Sequence, residues 1–221
     1  DPNLNLNLHL YTNGIKLTDE IADKMVGVID EVSINIDSAN NAILKKLGRS
    51  KKYNYFDTFI HVCNLLSNRN IKIKLHTVLC TMNEEEIIKD FSIILDALQD
   101  KDINITNWKL YRYMSYDVPE IDEEHKITNN SFEFIKEAIG KKVSNTSIKL
   151  HFKDNTEMNE SLFNILPYGN AQYMSTGDSW STSQRTDSLV KYNSIEELFL
   201  KNKLDQNAFK KFHTYIPNEL V

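Results

Sequence analysis

The sequence predicts an α/β protein whose parallel sheet forms part of a (β/α) barrel. Three observations favour this fold class. Short apolar segments alternate with helices of ten or more residues through the first half of the chain, as in βαβ units. These strands carry polar residues on one face, unlike the continuously apolar strands of a sheet covered on both sides. The last third instead has closely spaced strand segments with a turn between two of them.

Local patterns place four strands and the helices between them. The first strand is predicted near residues 4–10, where leucine alternates with polar residues, and Thr18 is expected to cap the following helix. Asn83 with Glu86 forms a capping box that predicts the start of a later helix. The other predicted strands cover residues 32–37, 71–80 and 107–114, and the other predicted helices cover residues 56–66 and 130–139.

The last third is predicted to be a C-terminal β-hairpin and helix extension. Gly169 and Asn170 form the expected hairpin turn, and Ser194 with Glu197 forms a capping box for a helix. Asp205 is expected to cap a final short helix. Strands are expected at residues 147–153, 161–168 and 171–175, with a loop at 175–183. We therefore expect a core at residues 1–145 and an extension at residues 146–221 packed on the same domain.

Composition narrows the class of protein. The chain has 221 residues, 41% hydrophobic and 26% charged, which suits a soluble globular protein with one apolar core. Its net charge of −5 provides no basic surface for nucleic acid or a membrane, and no signal peptide or membrane span is recognised. We expect a cytoplasmic protein with a small-molecule partner. Cys63 and Cys80 are expected to be buried thiols, with a disulfide as the alternative.

The polar strand faces are the first indication of a binding site. They comprise Ser33, Asn35 and Asp37, then Lys72, Lys74 and His76, then Lys109, Tyr111 and Tyr113. A wide or incomplete barrel can keep such an interior around a ligand, and Lys74 and Lys109 on neighbouring strands would converge on an anion such as phosphate. The alternative is an antiparallel sheet with one solvated face. The acidic segment at residues 117–124 is interpreted as a solvated loop, and no metal site is predicted.

Several motifs, taken in order, resemble a known family. LYTNG at residues 10–14 and VSINIDS at 32–38 resemble the third and fourth strands of radical S-adenosylmethionine (SAM) enzymes. NILPYGNAQYMSTGD at 164–178 and SIEELF at 194–199 resemble their C-terminal hairpin and helix. NIDS at 35–38 with Gly48 and Arg49, KLHTV at 74–78 and NWKLY at 107–111 resemble viperin-like members. The resemblance implies a partial (β/α) barrel of the radical SAM type that lacks its first strands.

The resemblance also implies residue roles. The positions implied for cofactor binding are Asn35, Ser38, Arg49, His76 and Val78, and those implied for substrate binding are Lys74, Asn107 and Lys109. Arg49 would pair with the SAM carboxylate, a geometry that a guanidinium suits. The two lysines match residues that bind a nucleoside triphosphate in viperin-like enzymes. No catalytic residue is assigned.

Three positions depart from the viperin-like pattern. Asn107 replaces an arginine that binds the triphosphate, and Leu162 replaces a tyrosine proposed to donate hydrogen. Asn35 replaces a serine, whereas Met158 and Ser161 can be placed in the C-terminal extension. The first two departures weaken the expectation of the CTP-dehydrating reaction, but they do not change the expected nucleotide class of ligand.

The implied cofactors are SAM and a [4Fe–4S] cluster in the complete enzyme. Such enzymes generate a 5′-deoxyadenosyl radical that abstracts hydrogen from the substrate. Cluster ligation needs three thiolates on one loop, which Cys63 and Cys80 cannot provide, so we expect an inactive C-terminal fragment of an enzyme. Two alternatives stay open at this point: a radical SAM enzyme acting on a peptide or another small metabolite, and a degenerate barrel without a cluster that serves as a binding module.

Overall fold

The computed structural model describes residues 7–49, 52, 54–143, 148–158, 163–174, 183–205 and 207. The chain divides into two compact units. The first comprises residues 1–112 and 127–152, and the second comprises residues 113–126 and 153–221. None of the helices in the described ranges has the length and hydropathy needed to cross a membrane.

A five-stranded sheet organises the first unit. Its strands are β1 (His9–Thr12), β2 (Glu31–Asn35), β3 (Lys72–Leu79), β4 (Asn107–Arg112) and β5 (Lys149–Lys153), and they lie in that order across the sheet. Strands β1 to β4 pair in parallel. The predicted α/β class with a parallel sheet is therefore confirmed, and the alternative of an antiparallel sheet is wrong. The predicted first strand begins later than expected, and residues 1–6 lie outside the described residues.

The helices of both units follow the capping and periodicity signals in most cases. They are α1 (Asp19–Met25), α2 (Asn41–Lys46), α3 (Tyr55–Ser67), α4 (Ile87–Gln99), α5 (Pro119–His125), α6 (Asn129–Val143) and α7 (Ile195–Lys201). The predicted cap of α1 is confirmed, because Thr18 Oγ1 accepts a hydrogen bond of 3.3 Å from the amide of Ile21. Gly14, in the turn after β1, has a φ of +71°, and a Cβ atom there would lie 2.9 Å from Val62 in α3. Only glycine suits that turn.

The main core lies on one face of the sheet. Alternate residues of β2, β3 and β4 pack there against the helices, and Ile34, Leu75 and Trp108 are completely buried. Phe59 of α3 and Phe91 of α4 belong to the same cluster. Because successive strand residues point to opposite faces, this packing directs the intervening polar residues to the other side of the sheet.

Two predictions about local structure are wrong. Helix α4 begins at Ile87 rather than Asn83, and Glu86 forms no side-chain cap. The side chain of Asn83 instead forms hydrogen bonds with the carbonyls of Asp37 and Val78, at the carboxyl ends of β2 and β3. The acidic segment forms helix α5 rather than a loop: Pro119 lies in its first turn, and Glu120 and Asp122 there complement the helix dipole.

The second unit contains a three-stranded antiparallel sheet, β6 (Phe163–Ile165), β7 (Asn170–Met174) and β8 (Ser183–Ser188). The hairpin turn at Gly169 is confirmed, whereas β8 was not predicted. Ser194 caps α7 by accepting a 3.1 Å hydrogen bond from the amide of Glu197, as the capping box predicts. Asp205 accepts a 2.7 Å hydrogen bond from the amide of Asn207, and most of the helix expected there lies outside the described residues.

Candidate functional site

The sheet surface opposite the core collects the polar side chains of neighbouring strands. We call this the polar face and define it by Glu31 and Ser33 of β2, Lys74 and His76 of β3, and Asn107 and Lys109 of β4. The strand register pairs Ser33 with Lys74, Lys74 with Asn107, and His76 with Lys109. The alternation predicted from sequence therefore brings these residues together on one surface of the first unit.

The charged residues of the polar face are buried. Glu31, Lys74 and Lys109 each have a relative exposure of 7%, and His76 has 6%. Glu31 Oε1 lies 3.5 Å from Nζ of Lys74 and 3.0 Å from Nδ1 of His9. Neither contact has hydrogen-bond geometry, and Glu31 Oε1 has no hydrogen-bond partner among the described residues. Glu31 and Lys74 thus lie within ion-pair distance, and a polar ligand could still supply the hydrogen bond that Glu31 Oε1 lacks.

Further polar atoms on this surface are also without hydrogen-bond partners among the described residues. They are Ser33 Oγ, His76 Nε2 and Asn107 Oδ1, all buried. The large majority of buried polar atoms in proteins are hydrogen-bonded, and exceptions indicate strain, function or a missing ligand. Together with Glu31 Oε1, these atoms lie on three adjacent strands, so a single ligand on the polar face could reach several of them.

On the polar face, His76 lies close to two tyrosine rings. Its ring centroid is 5.4 Å from that of Tyr11 and 5.4 Å from that of Tyr111, and the second contact is edge-on. Burial, together with the charges of Lys74 and Lys109, lowers the pKa of His76 to about 3. His76 is therefore neutral at pH 7 and can either donate or accept a hydrogen bond at Nε2.

The neutral state of His76 predicts a dependence of stability on pH. Because the folded-state pKa lies below the unfolded value of 6.5, the unfolded chain binds a proton first as the pH falls. This effect of His76 on stability is absent above pH 6.5. At pH 5 it should lower the free energy of unfolding by about 2 kcal/mol. Urea denaturation of the wild type and of His76→Asn at pH 7 and pH 5 measures it.

His61→Asn is the matched control, since His61 is exposed on α3. We expect the pH-dependent loss to shrink in His76→Asn and to persist in His61→Asn. An equal loss in all three proteins would show that His76 is not held neutral.

A hydrogen-bond network joins the carboxyl ends of β2 and β3. Asp37, which is 1% exposed, accepts a 2.8 Å hydrogen bond from the amide of Val78 and pairs with Nε of Arg49. Asn83 donates to the carbonyls of Asp37 and Val78, both at 2.9 Å, and accepts from the amide of Cys80 at 2.9 Å. Burial raises the pKa of Asp37, and the Arg49 guanidinium opposes that rise.

The residues predicted for cofactor binding occupy different surroundings. Asn35 ends β2, and its carbonyl accepts a 2.8 Å hydrogen bond from the hydroxyl of Tyr55. Ser38 is buried, donates to Asp90, and accepts a 2.9 Å hydrogen bond from the amide of Asn40. Arg49 pairs with Asp37, and Val78 lies in register with Tyr111. The roles of Asn35, Ser38, Arg49, His76 and Val78 stay predictions.

The substrate-side predictions fall on the polar face. Lys74, Asn107 and Lys109 lie there together, whereas Lys72 of the same strand as Lys74 is exposed. Ser161 and Leu162 lie outside the described residues.

Sequence reasoning missed two residues of this region. Glu31 was not included in the strand, although its two-residue spacing from Ser33 and Asn35 places it on the same face. Asn83 was assigned to a helix start, because its spacing from Glu86 also fits a capping box.

The cysteines do not form a metal site in the described residues. Cys63 and Cys80 are both buried and neither forms a disulfide, which confirms the prediction of two buried thiols. Burial raises the pKa of both thiols, that of Cys80 to about 11. No group of three His, Cys, Asp or Glu side chains that could hold a metal ion occurs among the residues that the structure describes.

Comparison with known proteins confirms the family resemblance. Residues 3–94 match the family model described as Radical SAM superfamily, which confirms the resemblance found in the sequence for this segment. Two curated relatives are S-adenosylmethionine-dependent nucleotide dehydratases. One, from Psychrobacter lutiphocae, is 25% identical over 74% of this chain and 51% of its own length. The other, from a Thermoplasmatales archaeon, is 25% identical over 73% of this chain and 54% of its own length. The chain thus spans about half the length of these relatives.

Solved structures show the same fold at low sequence identity. Native anSMEcpe with bound AdoMet and Kp18Cys peptide is similar over 95% of this chain and 62% of its own, with a TM-score of 0.60 and 12% identity. Streptococcus suis SuiB bound to S-adenosylmethionine is similar over 94% of this chain and 49% of its own, with a TM-score of 0.52 and 10% identity. The predicted α/β fold of a partial barrel is therefore confirmed.

Proposed function

We propose that this chain forms the substrate-binding and part of the SAM-binding portion of a radical SAM enzyme that acts on a nucleotide-like substrate. The match over residues 3–94 supports the SAM chemistry. The names of the two curated relatives support a nucleotide substrate. The chain spans about half the length of each relative. The activity of the complete enzyme is therefore proposed as well.

The observation that carries the proposal is the burial of two lysines on adjacent strands of one sheet face. Lys74 and Lys109 are both 7% exposed, and His76, which burial keeps neutral, follows Lys74 by two residues and lies in register with Lys109. A neutral histidine adds no positive charge, so the lysines provide the attraction for an anion while His76 can contact an uncharged group. A phosphate with an attached nucleoside has both kinds of group.

The carboxyl ends of β2 and β3 are the proposed SAM side. Asn35, Arg49, His76 and Val78 would contact the cofactor there, and Ser38 would support the loop after β2. His76 Nε2 has no hydrogen-bond partner in the described part of the chain, which fits a bound adenosine or substrate group. SAM with a reduced [4Fe–4S] cluster supplies the radical that abstracts hydrogen in this class of enzyme, while the protein orients and shields it.

The two protonated, buried thiols do not fit cluster ligands, so we propose that this chain alone is inactive.

Replacement of either buried lysine tests the nucleotide proposal. Lys74→Met and Lys109→Met should each weaken nucleotide binding by roughly 10-fold to 100-fold, since each removes a buried charge that contacts phosphate. Lys72→Met is the matched control because Lys72 lies in the same strand as Lys74 but is exposed, and it should bind within about twofold of the wild type. Isothermal titration of the 221-residue chain with CMP, CTP, UTP and ATP, with and without SAM, provides the dissociation constants.

Thermal unfolding of each variant shows whether it remains folded. Absence of binding for every nucleotide, with SAM present, would contradict the proposed substrate class. Equal affinities for Lys72→Met, Lys74→Met and Lys109→Met would show that the polar face does not bind the nucleotide.

A further inference from the structure

We propose that Tyr11 is the residue on which the ring of the ligand stacks, so that this side of the sheet binds a planar, uncharged heterocycle. The inference rests on the proposed nucleotide function and deepens it by naming a residue that recognises the base. Tyr11 lies in β1, outside the three strands that define the polar face.

The strand register places Tyr11 beside the polar face. Tyr11 pairs with Ser33 of β2, and Ser33 in turn pairs with Lys74 of β3. Residues that are paired across parallel strands direct their side chains to the same side of the sheet. Tyr11 therefore extends a row of polar-face residues onto β1.

The ring of Tyr11 is exposed and also has a neighbour in the protein. Tyr11 is 61% exposed, whereas His76 is 6% exposed. The two ring centroids are 5.4 Å apart, and the ring planes are inclined by 49°. Proteins bind single bases by stacking them on aromatic side chains that present an accessible ring. Tyr11 presents such a ring next to buried polar groups.

His76 and Tyr111 form an aromatic cluster with Tyr11. The ring of Tyr111 meets that of His76 edge-on, with centroids 5.4 Å apart. Burial raises the pKa of Tyr111, and burial together with the nearby lysines lowers that of His76, so both rings are uncharged at pH 7. An uncharged aromatic cluster favours contact with another ring over contact with a phosphate group.

His76 Nε2 provides a second reason to expect a heterocycle. This buried nitrogen has no hydrogen-bond partner among the residues that the structure describes. In a neutral imidazole it can either donate or accept a hydrogen bond. The amino groups and carbonyl oxygens of a nucleobase offer both complementary groups. The cluster thus combines a stacking surface with a hydrogen-bonding atom, the two elements by which proteins recognise unpaired bases.

Isothermal titration of the 221-residue chain with CMP and with ribose 5-phosphate tests the inference, because these ligands share the sugar phosphate and differ in the base. We expect the wild type to bind CMP roughly tenfold more tightly, as one stacking contact provides. Tyr11→Leu should abolish this difference, and Tyr11→Phe should retain it. Tyr168→Leu is the matched control and should also retain it, since Tyr168 is an exposed tyrosine between β6 and β7.

Titration with 5′-methylthioadenosine distinguishes two sources of the ring, because this compound contains the nucleoside part of SAM. If Tyr11→Leu weakens the binding of CMP alone, the ring belongs to the substrate. If it weakens the binding of 5′-methylthioadenosine alone, the ring is the adenine of SAM. Either result supports stacking on Tyr11.

The outcomes separate this inference from the function on which it rests. Unchanged binding of both ligands by Tyr11→Leu, with CMP binding still weakened in Lys74→Met, would overturn the inference and leave the nucleotide proposal standing. Absence of binding for both ligands in the wild type would overturn both proposals. Circular dichroism shows whether Tyr11→Leu is folded. If it is not, equal wild-type affinities for CMP and ribose 5-phosphate, without binding of 5′-methylthioadenosine, would still overturn the inference.

Discussion

Trp108→Ala is expected to lower the free energy of unfolding by about 4 kcal/mol, because it removes a large, fully buried side chain and leaves a cavity. Trp108 is 0% exposed and stacks on Phe91 of α4 with ring centroids 4.2 Å apart. Its indole nitrogen donates a 3.0 Å hydrogen bond to Thr77 Oγ1, and the Thr77 hydroxyl donates to the carbonyl of Ile36. Trp108 therefore links β4 to β3 and to the end of β2. Urea denaturation measures the loss.

Trp108→Phe separates packing from hydrogen bonding. A phenylalanine can keep most of the stacking on Phe91 but cannot donate to Thr77, so the loss should be about 1–2 kcal/mol. Equal stability of Trp108→Ala and the wild type would contradict the placement of Trp108 in the core. Since Asn107 and Lys109 flank Trp108 in β4, the alanine variant should also weaken nucleotide binding in proportion to its loss of structure.

The parallel sheet and its polar face were predictable from the sequence because both depend on local periodicity. Val32, Ile34 and Ile36 alternate with Ser33 and Asn35, and in any strand this spacing directs the two sets to opposite faces. Helices between the strands then favour parallel pairing. Together these two facts bring Lys74 and Lys109 to one surface without any knowledge of the family.

Contacts between side chains on different strands were not predictable, because they depend on the strand register and on side-chain conformation. The approach of Glu31 to Lys74 joins two residues that are 43 positions apart in the sequence, and no local pattern fixes it. The hydrogen bonds that Asn83 forms across the strand ends likewise depend on contacts that no local pattern fixes. Its amide reaches the carbonyl of Asp37, although the local spacing fits a helix cap equally well.

Strand β8 and helix α5 were missed for a different reason. Ser183–Ser188 has no apolar side chain, and only Thr186 in it is buried, so the alternation that identifies half-buried strands is absent. Helix α5 has no buried residue and therefore no apolar stripe. It is held by polar contacts instead: Asp122 accepts hydrogen bonds from Ser115 and, at 3.0 Å, from the hydroxyl of Tyr113.

The polar face and the carboxyl ends of β2 and β3 differ in the arrangement of their buried charged residues. On the polar face, Glu31 lies 3.5 Å from Lys74, and Lys109 is buried on the neighbouring strand. At the carboxyl ends of β2 and β3, Asp37 and Arg49 already balance each other. The first arrangement favours an anionic ligand, whereas the second favours a rigid loop after β2, which the proposed SAM side needs.

Arg49→Met is expected to lower the free energy of unfolding by about 3 kcal/mol at pH 7, because it leaves the Asp37 carboxylate buried without its partner. The side chain of Arg49 is 26% exposed and that of Asp37 is 2% exposed. The loss of stability therefore comes mainly from burying the Asp37 carboxylate without a partner. Burial already raises the pKa of Asp37, and without Arg49 that pKa should rise further. A carboxyl group whose folded-state pKa exceeds its unfolded value weakens the fold as the pH rises between the two. The destabilisation should therefore be smaller near pH 4 than at pH 7, as urea denaturation at both values would show.

The double variant Asp37→Asn/Arg49→Met is the matched control for this effect. It removes both charges, so no unpaired carboxylate remains, and its destabilisation relative to the wild type should change less between pH 4 and pH 7 than that of Arg49→Met. The asparagine can still accept the hydrogen bond from the amide of Val78, which keeps the ends of β2 and β3 joined. A destabilisation of Arg49→Met that is the same at both pH values would show that Arg49 acts through packing rather than through its charge. In that case the ion pair would not be what holds the loop after β2 in place.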